Sequence, residues 1–328
     1  MTVTSAASLD PGRFALGSWH VFSRLSLEEG ATLVRRALDL GIELFDVGDY
    51  WDHDQSNEVR FREIVQRLGL KRDTYRIGIK VFTNSVESRR ALVQQSLMRL
   101  GVESADYVIC SRPAANESLD HAVTAMAELV SSGLAHDIAA SLWAPEMLGQ
   151  AMAMMAEKGL PQPRFVQLQY NVCRRSVVES AAHQRLFAET GIRLQAADTL
   201  EGGLLAGHVH RERYHPGDRE KGHWFPDRNL PRDSGGIRPD IRRMVPKLET
   251  AARRLGSTPA QLAMAFCLLH PALDTLLFGA TRAEHLKENL GALELARTRA
   301  GEVLEAVAPL ALQGAAAPAI FDVSAGMH

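Results

Sequence analysis

Short apolar runs alternate with amphipathic segments along the whole chain. Eight runs rich in β-branched and other apolar residues predict strands at 13–17, 42–47, 75–81, 105–110, 136–142, 165–170, 192–198 and 274–279. Between them, apolar residues recur every three or four positions, as at Val93, Leu97 and Leu100, which predicts helices. Ser26 with Glu29 three residues later is typical of a helix start.

The order of these elements predicts a (β/α)₈ TIM barrel, because parallel strands need helices to cover their outer face. A doubly wound open sheet is the competing fold. It is less favoured because no glycine-rich turn of the GxGxxG kind follows an early strand. We expect residues 1–328 to form one barrel domain, with a long polar loop at 207–236 over the mouth and an alanine-rich tail from about residue 311.

The composition favours a cytoplasmic protein that binds small molecules. The chain has 37 basic and 39 acidic residues and a net charge of -2, so bulk attraction to nucleic acid or to an anionic membrane is not expected. Its three cysteines cannot all pair and form no CxxC motif, which indicates reduced thiols and no metal site. Neither a signal peptide nor an uninterrupted apolar span is evident. The oligomeric state stays open.

Polar side chains follow three of the predicted strands where the mouth of a barrel would lie. Asp46 and Lys80 each end a strand, Ser111 follows a third, and Tyr50 lies in the loop after Asp46. A lysine beside a phenol lowers the phenol pKa from its usual value of about 10, and a carboxylate keeps that lysine charged. Such a trio can donate a proton to a carbonyl oxygen.

A purely structural interpretation also exists. Asp46 or Asp49 could cap the helix that starts near Ser56, and Tyr50 could be a surface aromatic. This interpretation does not fit Lys80. An ammonium at the end of an apolar run is costly to bury without an anion, and Asp46 is the natural partner.

Nine segments in order resemble the aldo-keto reductase superfamily, and together they span nearly the whole chain. They are FALGSWHV (14–21), ALDLGIELFDVGDYW (37–51), IGIKV (77–81), SLMRLGVESADYVICSRP (96–113), SSGLAHDIAASLW (131–143), FVQLQYNVCRR (165–175), EGGLLAG (201–207), LGSTPAQLAMAFCLLHP (255–271) and LFGATRAEHLKENLGAL (277–293). The resemblance implies reduction of a carbonyl by NAD(P)H through an Asp, Tyr, Lys and His tetrad.

The resemblance assigns the catalytic roles to Asp46, Tyr50 and Lys80, with Ser111 where the family has histidine. Tyr50 comes four residues after Asp46 where the family usually has five, and Trp51 occupies the nominal tyrosine position. A serine hydroxyl can still donate a hydrogen bond to the substrate oxygen, although it is shorter and less polarising. Around the substrate we expect Trp51 as a wall, with His20 and His53 as candidate replacements for the histidine; a solvated loop position is the alternative for each histidine.

The resemblance also assigns the nicotinamide end of the cofactor site. Ser141 and Gln167 match the residues that bind the carboxamide, whereas Leu142 stands where the family has asparagine. Ala197 stands where the family has its ring-stacking tyrosine, so stacking would come from Trp19 or Tyr170.

At the adenine end the match is fuller. Arg282 and His285 are expected at a ribose 2′-phosphate and Glu288 with Asn289 at the adenine, while ordinary helix-surface polarity is the alternative. An arginine at that phosphate favours NADPH over NADH. The remaining expected cofactor contacts, at the pyrophosphate, are Leu205 and Gly207.

Three hypotheses of function follow. The first is an NADPH-dependent reductase of a carbonyl, C=N or conjugated C=C group in secondary metabolism or detoxification. The second is a barrel that performs non-redox acid–base chemistry, elimination or isomerisation, with Tyr50 and Lys80. The third is a non-catalytic NADPH-binding subunit, which the retained Asp46 and Lys80 disfavour, because a pure binder needs no ion pair at the mouth.

Overall fold

The sheet closes into a barrel of eight parallel strands, which confirms the predicted (β/α)₈ fold. The computed structural model describes residues 9–19, 21–49, 51–52 (backbone only), 55–81, 88–114, 116–208 and 237–312. Around the barrel the strands follow the order β1, β10, β9, β8, β7, β6, β5, β2. Their bounds are β1 (Phe14–Gly17), β2 (Leu44–Asp46), β5 (Arg76–Val81), β6 (Ala105–Ser111), β7 (Ala135–Ser141), β8 (Phe165–Gln169), β9 (Arg193–Ala197) and β10 (Leu273–Phe278).

Helices connect the strands on the outside of the barrel. Those described are α1 (Leu27–Asp39), α2 (Asn57–Leu68), α3 (Arg89–Leu100), α4 (Leu119–Ser131), α5 (Pro145–Glu157), α6 (Ala181–Thr190), α7 (Arg238–Arg254), α8 (Pro259–Leu268), α9 (Ala283–Asn289), α10 (Gly291–Thr298) and α11 (Ala300–Val307). The predicted capping box at the start of α1 is present, because Ser26 accepts from the Glu29 backbone and Glu29 reaches back to Ser26. None of the helices in these ranges combines the length and apolar character that a membrane crossing requires.

A two-stranded hairpin, not predicted from the sequence, lies between β2 and α2. Its strands are β3 (Trp51–Asp52) and β4 (Gln55–Ser56), paired antiparallel. Helix α2 then begins behind Ser56, whose hydroxyl accepts from the Val59 backbone. The hairpin therefore sets the path of the chain between the Asp46 strand and α2.

Apolar side chains fill the barrel interior at its lower end, which is the end opposite the carboxyl ends of the strands. We call this cluster the plug. Tyr107 and Phe165 meet there edge to face, with ring centroids 5.5 Å apart. The buried side chains of the plug are Ala15, Leu44, Tyr107, Ile109, Ala139 and Phe165. This plug fills the space between the strands, so a ligand can enter only from above it, at the carboxyl ends of the strands.

Candidate active site at the mouth of the barrel

The inward-facing side chains change from apolar to polar towards the carboxyl ends of the strands. On β2 the buried Leu44 is followed two residues later by the buried Asp46, and on β8 Phe165 is followed by Gln167. Gln167 Nε2 donates to Asp46 Oδ2 at 2.8 Å. Because β2 and β8 are separated by three other strands around the barrel, this hydrogen bond crosses its interior.

Lys80, near the end of β5, reaches the same glutamine. Its ammonium donates to Gln167 Oε1, so one amide links Lys80 to Asp46. Burial lowers the pKa of Lys80, whereas the carboxylates of Asp46 and Asp198 raise it. Burial likewise raises the pKa of Asp46, and the Lys80 charge and the Gln167 hydrogen bond lower it. In both groups burial outweighs the partner's charge, so the pKa of Lys80 lies below its ordinary value and that of Asp46 above it, while each charge limits the shift of the other.

The polar network continues from Gln167 towards β10. Gln167 Nε2 also donates to Gln195 Oε1 at 2.6 Å, and Gln195 Nε2 donates to Thr275 Oγ1 at 2.8 Å. These bonds fix the orientation of the Gln167 amide, with its oxygen towards Lys80. Sequence reasoning missed Gln195, although its place in an apolar strand run is the signal that could have found it.

Ser111 and Ser141 end neighbouring strands and lie side by side. They are partners in the register of β6 with β7; Ser111 is half-buried and Ser141 is buried. Leu142, directly after Ser141, has φ of +59°, a conformation that asparagine adopts more easily than leucine. The polar ends of these two strands therefore form one wall of the mouth.

Tyr50, His20 and His53 lie outside the described residues, and of Trp51 only the backbone in β3 is described. The roles assigned to these four residues stay predictions. The alternative that Asp46 or Asp49 caps α2 is wrong, because Ser56 is the N-cap. Asp49 contacts Arg99 instead, at 3.4 Å.

A cavity of about 410 Å³ opens beside this network, between the ends of β1, β9 and β10. Trp19 lines it, as do three of the residues predicted at the adenine end: His285, Glu288 and Asn289. Arg282 directly precedes α9 and is exposed. The cavity thus brings Trp19 together with three of the residues predicted at the adenine end, whereas Ser141 and Gln167 are not among its lining residues.

The remaining predicted cofactor contacts lie in the turn after β9. Leu205 is fully buried in the core and its N–H donates to Leu200 O at 3.1 Å; the Gly207 N–H donates to Leu204 O at 3.1 Å. Both N–H groups are therefore used within the turn. Tyr170, one of the two candidates for ring stacking, is buried against Phe266 and His270, whereas Trp19 lines the cavity.

A buried carboxylate holds the turn after β9 in place. Glu201 is fully buried; Arg174 binds it through two nitrogens, Nε at 2.8 Å and Nη2 at 3.0 Å. Arg238, in the first turn of α7, donates to the Glu201 carbonyl at 2.8 Å, and Asn171 donates to its carboxylate at 3.1 Å. Because Gly202 and Gly203 follow directly and line the cavity, this network sets the position of the cavity wall.

Glu58 is a second buried carboxylate that sequence reasoning missed. It lies in the first turn of α2, fully buried, and pairs with Arg99 of α3. Its spacing before Phe61 and Ile64, both on the buried face of α2, is the signal that could have shown it. Since Arg99 also contacts Asp49, the cluster anchors the segment that leads from β2 towards Tyr50.

Glu58 is expected to make stability depend on pH. Burial raises its pKa from 4.5 to about 7; Arg99 opposes this shift and Asp49 adds to it. The folded state therefore keeps a proton that the unfolded chain releases, so the free energy of unfolding falls as pH rises through this window. In Glu58→Gln this dependence is absent. Between about pH 5 and about pH 8, the free energy of unfolding of the variant should therefore rise by about 2 to 3 kcal/mol relative to that of the parent.

Urea unfolding of both proteins at the two pH values measures this difference. Glu63→Gln, on the partly exposed face of the same helix, serves as the matched control and should show no such change. An equal stability difference between Glu58→Gln and the parent at both pH values would mean that Glu58 is ionised throughout.

The groups around the cavity fit a phosphorylated dinucleotide. Gly202 and Gly203 both have positive φ and carry no side chain, so their backbone can approach a ligand closely. The Trp19 ring offers a flat apolar surface, and the His285 and Asn289 side chains offer polar contacts. Asp198 adds one carboxylate to the wall.

Comparison with known proteins agrees with this picture. The model of the aldo/keto reductase family matches residues 13–305. Two proteins named "Probable voltage-gated potassium channel subunit beta", from Arabidopsis thaliana and from Oryza sativa subsp. japonica, are each 26% identical to this chain, over 88% and 92% of it and 89% and 93% of their own lengths.

A crystal structure of an aldo/keto reductase from Klebsiella pneumoniae, in complex with NADP and acetate, has the same fold. It covers 92% of this chain and 93% of its own, with a TM-score of 0.65 and 20% sequence identity. Because the family model matches residues 13–305, most of the sequence, this chain belongs to the aldo/keto reductase family.

Proposed function

We propose that this protein is an NADPH-dependent reductase of small carbonyl compounds, with Tyr50 as the proton donor. The observation that carries the proposal is the Lys80 ammonium inside the mouth, linked through Gln167 to the buried Asp46. Removing these charges from water is costly, and perturbed charged groups of this kind concentrate at functional sites. Membership of the aldo/keto reductase family, which uses NADP(H), supports the choice of cofactor.

The roles of the residues follow from their chemistry. NADPH, when bound, supplies the hydride that adds to the carbonyl carbon. Lys80, kept charged by Asp46, lowers the pKa of the Tyr50 phenol, which donates its proton to the carbonyl oxygen. The Ser111 hydroxyl orients that oxygen as a hydrogen-bond donor, and Trp51 covers the apolar part of the substrate.

The cofactor is held at two ends in this proposal. Ser141 and Gln167 bind the carboxamide, Trp19 packs against the ring, and Leu205 and Gly207 lie near the pyrophosphate. The opposite end is held by Arg282, His285, Glu288 and Asn289.

The substrate range follows from the weaker polarisation by Ser111. Reduction of a C=N or conjugated C=C group depends less on polarisation of a carbonyl oxygen. We therefore include such compounds among the substrates, together with carbonyls. We place the reaction in the cytoplasm, in secondary metabolism or detoxification, because the balanced charge and the odd number of cysteines fit that compartment.

A second candidate function is that of a non-catalytic NADPH-binding subunit. Two observations favour it: the relatives named as potassium channel subunits beta, and Ser111 in the position of the family's histidine. The charges of Asp46 and Lys80, linked through Gln167 at the mouth, speak against it, because binding alone does not require them there.

Turnover of NADPH separates the two functions. With a panel of aldehydes, ketones, imines and enones, we expect NADPH oxidation in step with substrate loss, and we expect Tyr50→Phe to lower kcat by about 10² to 10⁴-fold. NADPH binding, followed by fluorescence titration, should change little in that variant, because the phenol acts on the substrate oxygen.

Tyr75→Phe is the matched control, because it removes the same atom at the opposite end of β5 from Lys80. NADPH binding without oxidation over the whole panel would favour the subunit or the non-redox enzyme. Full turnover by Tyr50→Phe would show that another group donates the proton.

A further inference from the structure

Asp198 follows the last residue of β9 and lines the cavity. Its carboxylate accepts a 2.6 Å hydrogen bond from Gln169 Nε2, and its carbonyl oxygen accepts from Asn171 Nδ2 and from the Glu201 N–H, each at 3.0 Å. Its φ is +54°, a conformation that aspartate and asparagine tolerate better than other residues with side chains. The side chain is thus held in a defined orientation by contacts on both sides.

Two glutamines of strand β8 show where the Asp198 carboxylate lies relative to the Lys80 ammonium. Gln167 and Gln169 lie two residues apart on β8, so both point to the same face of the strand. Gln167 binds Lys80 and Gln169 binds Asp198, and successive residues on one face of a strand lie about 7 Å apart. Asp198 therefore lies one layer above Lys80, on the side of the open mouth.

The charges that face Lys80 come from two elements of the described barrel. Asp46 contributes a carboxylate from β2, below, and Asp198 contributes one from the segment after β9, above. Both carboxylates raise the pKa of Lys80 against the effect of burial. Gln167, which contacts the ammonium directly, is neutral.

We propose that Asp198 is a second positioning carboxylate, which keeps the Lys80 ammonium charged and drawn towards the mouth. The effect on catalysis rests on the proposed function, since a charged Lys80 matters there only as the group that acidifies Tyr50. Asp198 does not itself touch the reacting atoms in this proposal. A structural role, in which Asp198 only fixes the turn after β9, is the competing explanation.

Asp198→Asn separates the two roles. Asparagine tolerates the same φ and its side-chain oxygen can accept from Gln169, so the turn is preserved while the charge is lost. The measurement is competitive acylation of the full-length protein with acetic anhydride from about pH 7 to pH 11, with modification of Lys80 followed by peptide mass spectrometry. We expect the pH of half-maximal reactivity of Lys80 to fall by about 1 pH unit, because one of the two carboxylates that raise the Lys80 pKa is lost.

Asp137→Asn is the matched control: it removes the same charge near the other end of the barrel, where Asp137 pairs with Arg164. It should leave Lys80 reactivity unchanged. An unchanged Lys80 midpoint in Asp198→Asn, or an equal shift in Asp137→Asn, would overturn the proposal. This readout needs no turnover, so a Lys80 shift in a protein that never oxidises NADPH would support the role of Asp198 and reject the reductase.

Discussion

Replacing Lys80 with methionine is expected to lower kcat for carbonyl reduction by about 10² to 10⁴-fold, the usual contribution of a positioned general acid. Methionine keeps most of the apolar stem of lysine and removes the charge. Without the ammonium, the phenol of Tyr50 returns towards its usual pKa of about 10 and becomes a poor proton donor near neutral pH. Steady-state NADPH oxidation, with NADPH titration as a binding check, measures the loss.

Two further variants show whether the loss comes from the ammonium. Lys71→Met changes an exposed lysine ahead of β5 and should leave kcat unchanged. Asp46→Asn/Lys80→Met removes both charges, so an unpaired buried carboxylate cannot explain its loss of activity. If Lys80→Met kept the parental kcat, the pair of Asp46 and Lys80 would be structural and the reductase mechanism proposed here would be wrong.

The fold could be predicted because its signals are local. Each of the eight barrel strands overlaps the apolar run that predicted it, and the capping box of Ser26 and Glu29 forms as expected. A strand of a barrel covered by helices is buried on both faces, so its composition alone reveals it. The hairpin of β3 and β4 was missed because its strands are two residues long, too short for any periodicity.

Part of the candidate site could also be predicted, because topology brings strand ends together. Asp46 and Gln167 are 121 residues apart and Lys80 and Gln167 are 87 residues apart, yet each of the three lies at or near the carboxyl end of a barrel strand. What the sequence could not show is that Gln167 forms the link between the two charges. That depends on which side chains cross the barrel interior.

The buried pair of Glu201 and Arg174 behind the site was not predictable from local pattern. Glu201 lies in a polar turn, and its partner Arg174 is 27 residues away in the segment after β8. Nothing in the residues next to Glu201 indicates that it is fully buried. Such pairs are recognised only when the packing of two loops is known.

Arg174→Met should therefore have the largest effect on stability, with a loss of about 3 kcal/mol in the free energy of unfolding, the lower part of the range for breaking a buried ion pair. Glu201 would keep Arg238 and Asn171 but lose its two hydrogen bonds to Arg174. Because Gly202 and Gly203 follow Glu201 at the cavity wall, we also expect weaker binding of NADPH.

A double-mutant cycle with Glu201→Gln identifies the cause. Arg174→Met/Glu201→Gln should recover part of the lost stability, because no buried carboxylate is left without its principal partner. Arg90→Met breaks the exposed pair with Glu128 and should change stability by less than about 1 kcal/mol. Urea unfolding measures all the variants. Additive effects of the two single substitutions would mean that Arg174 acts through packing alone, and the cavity wall would then have to be held by other contacts.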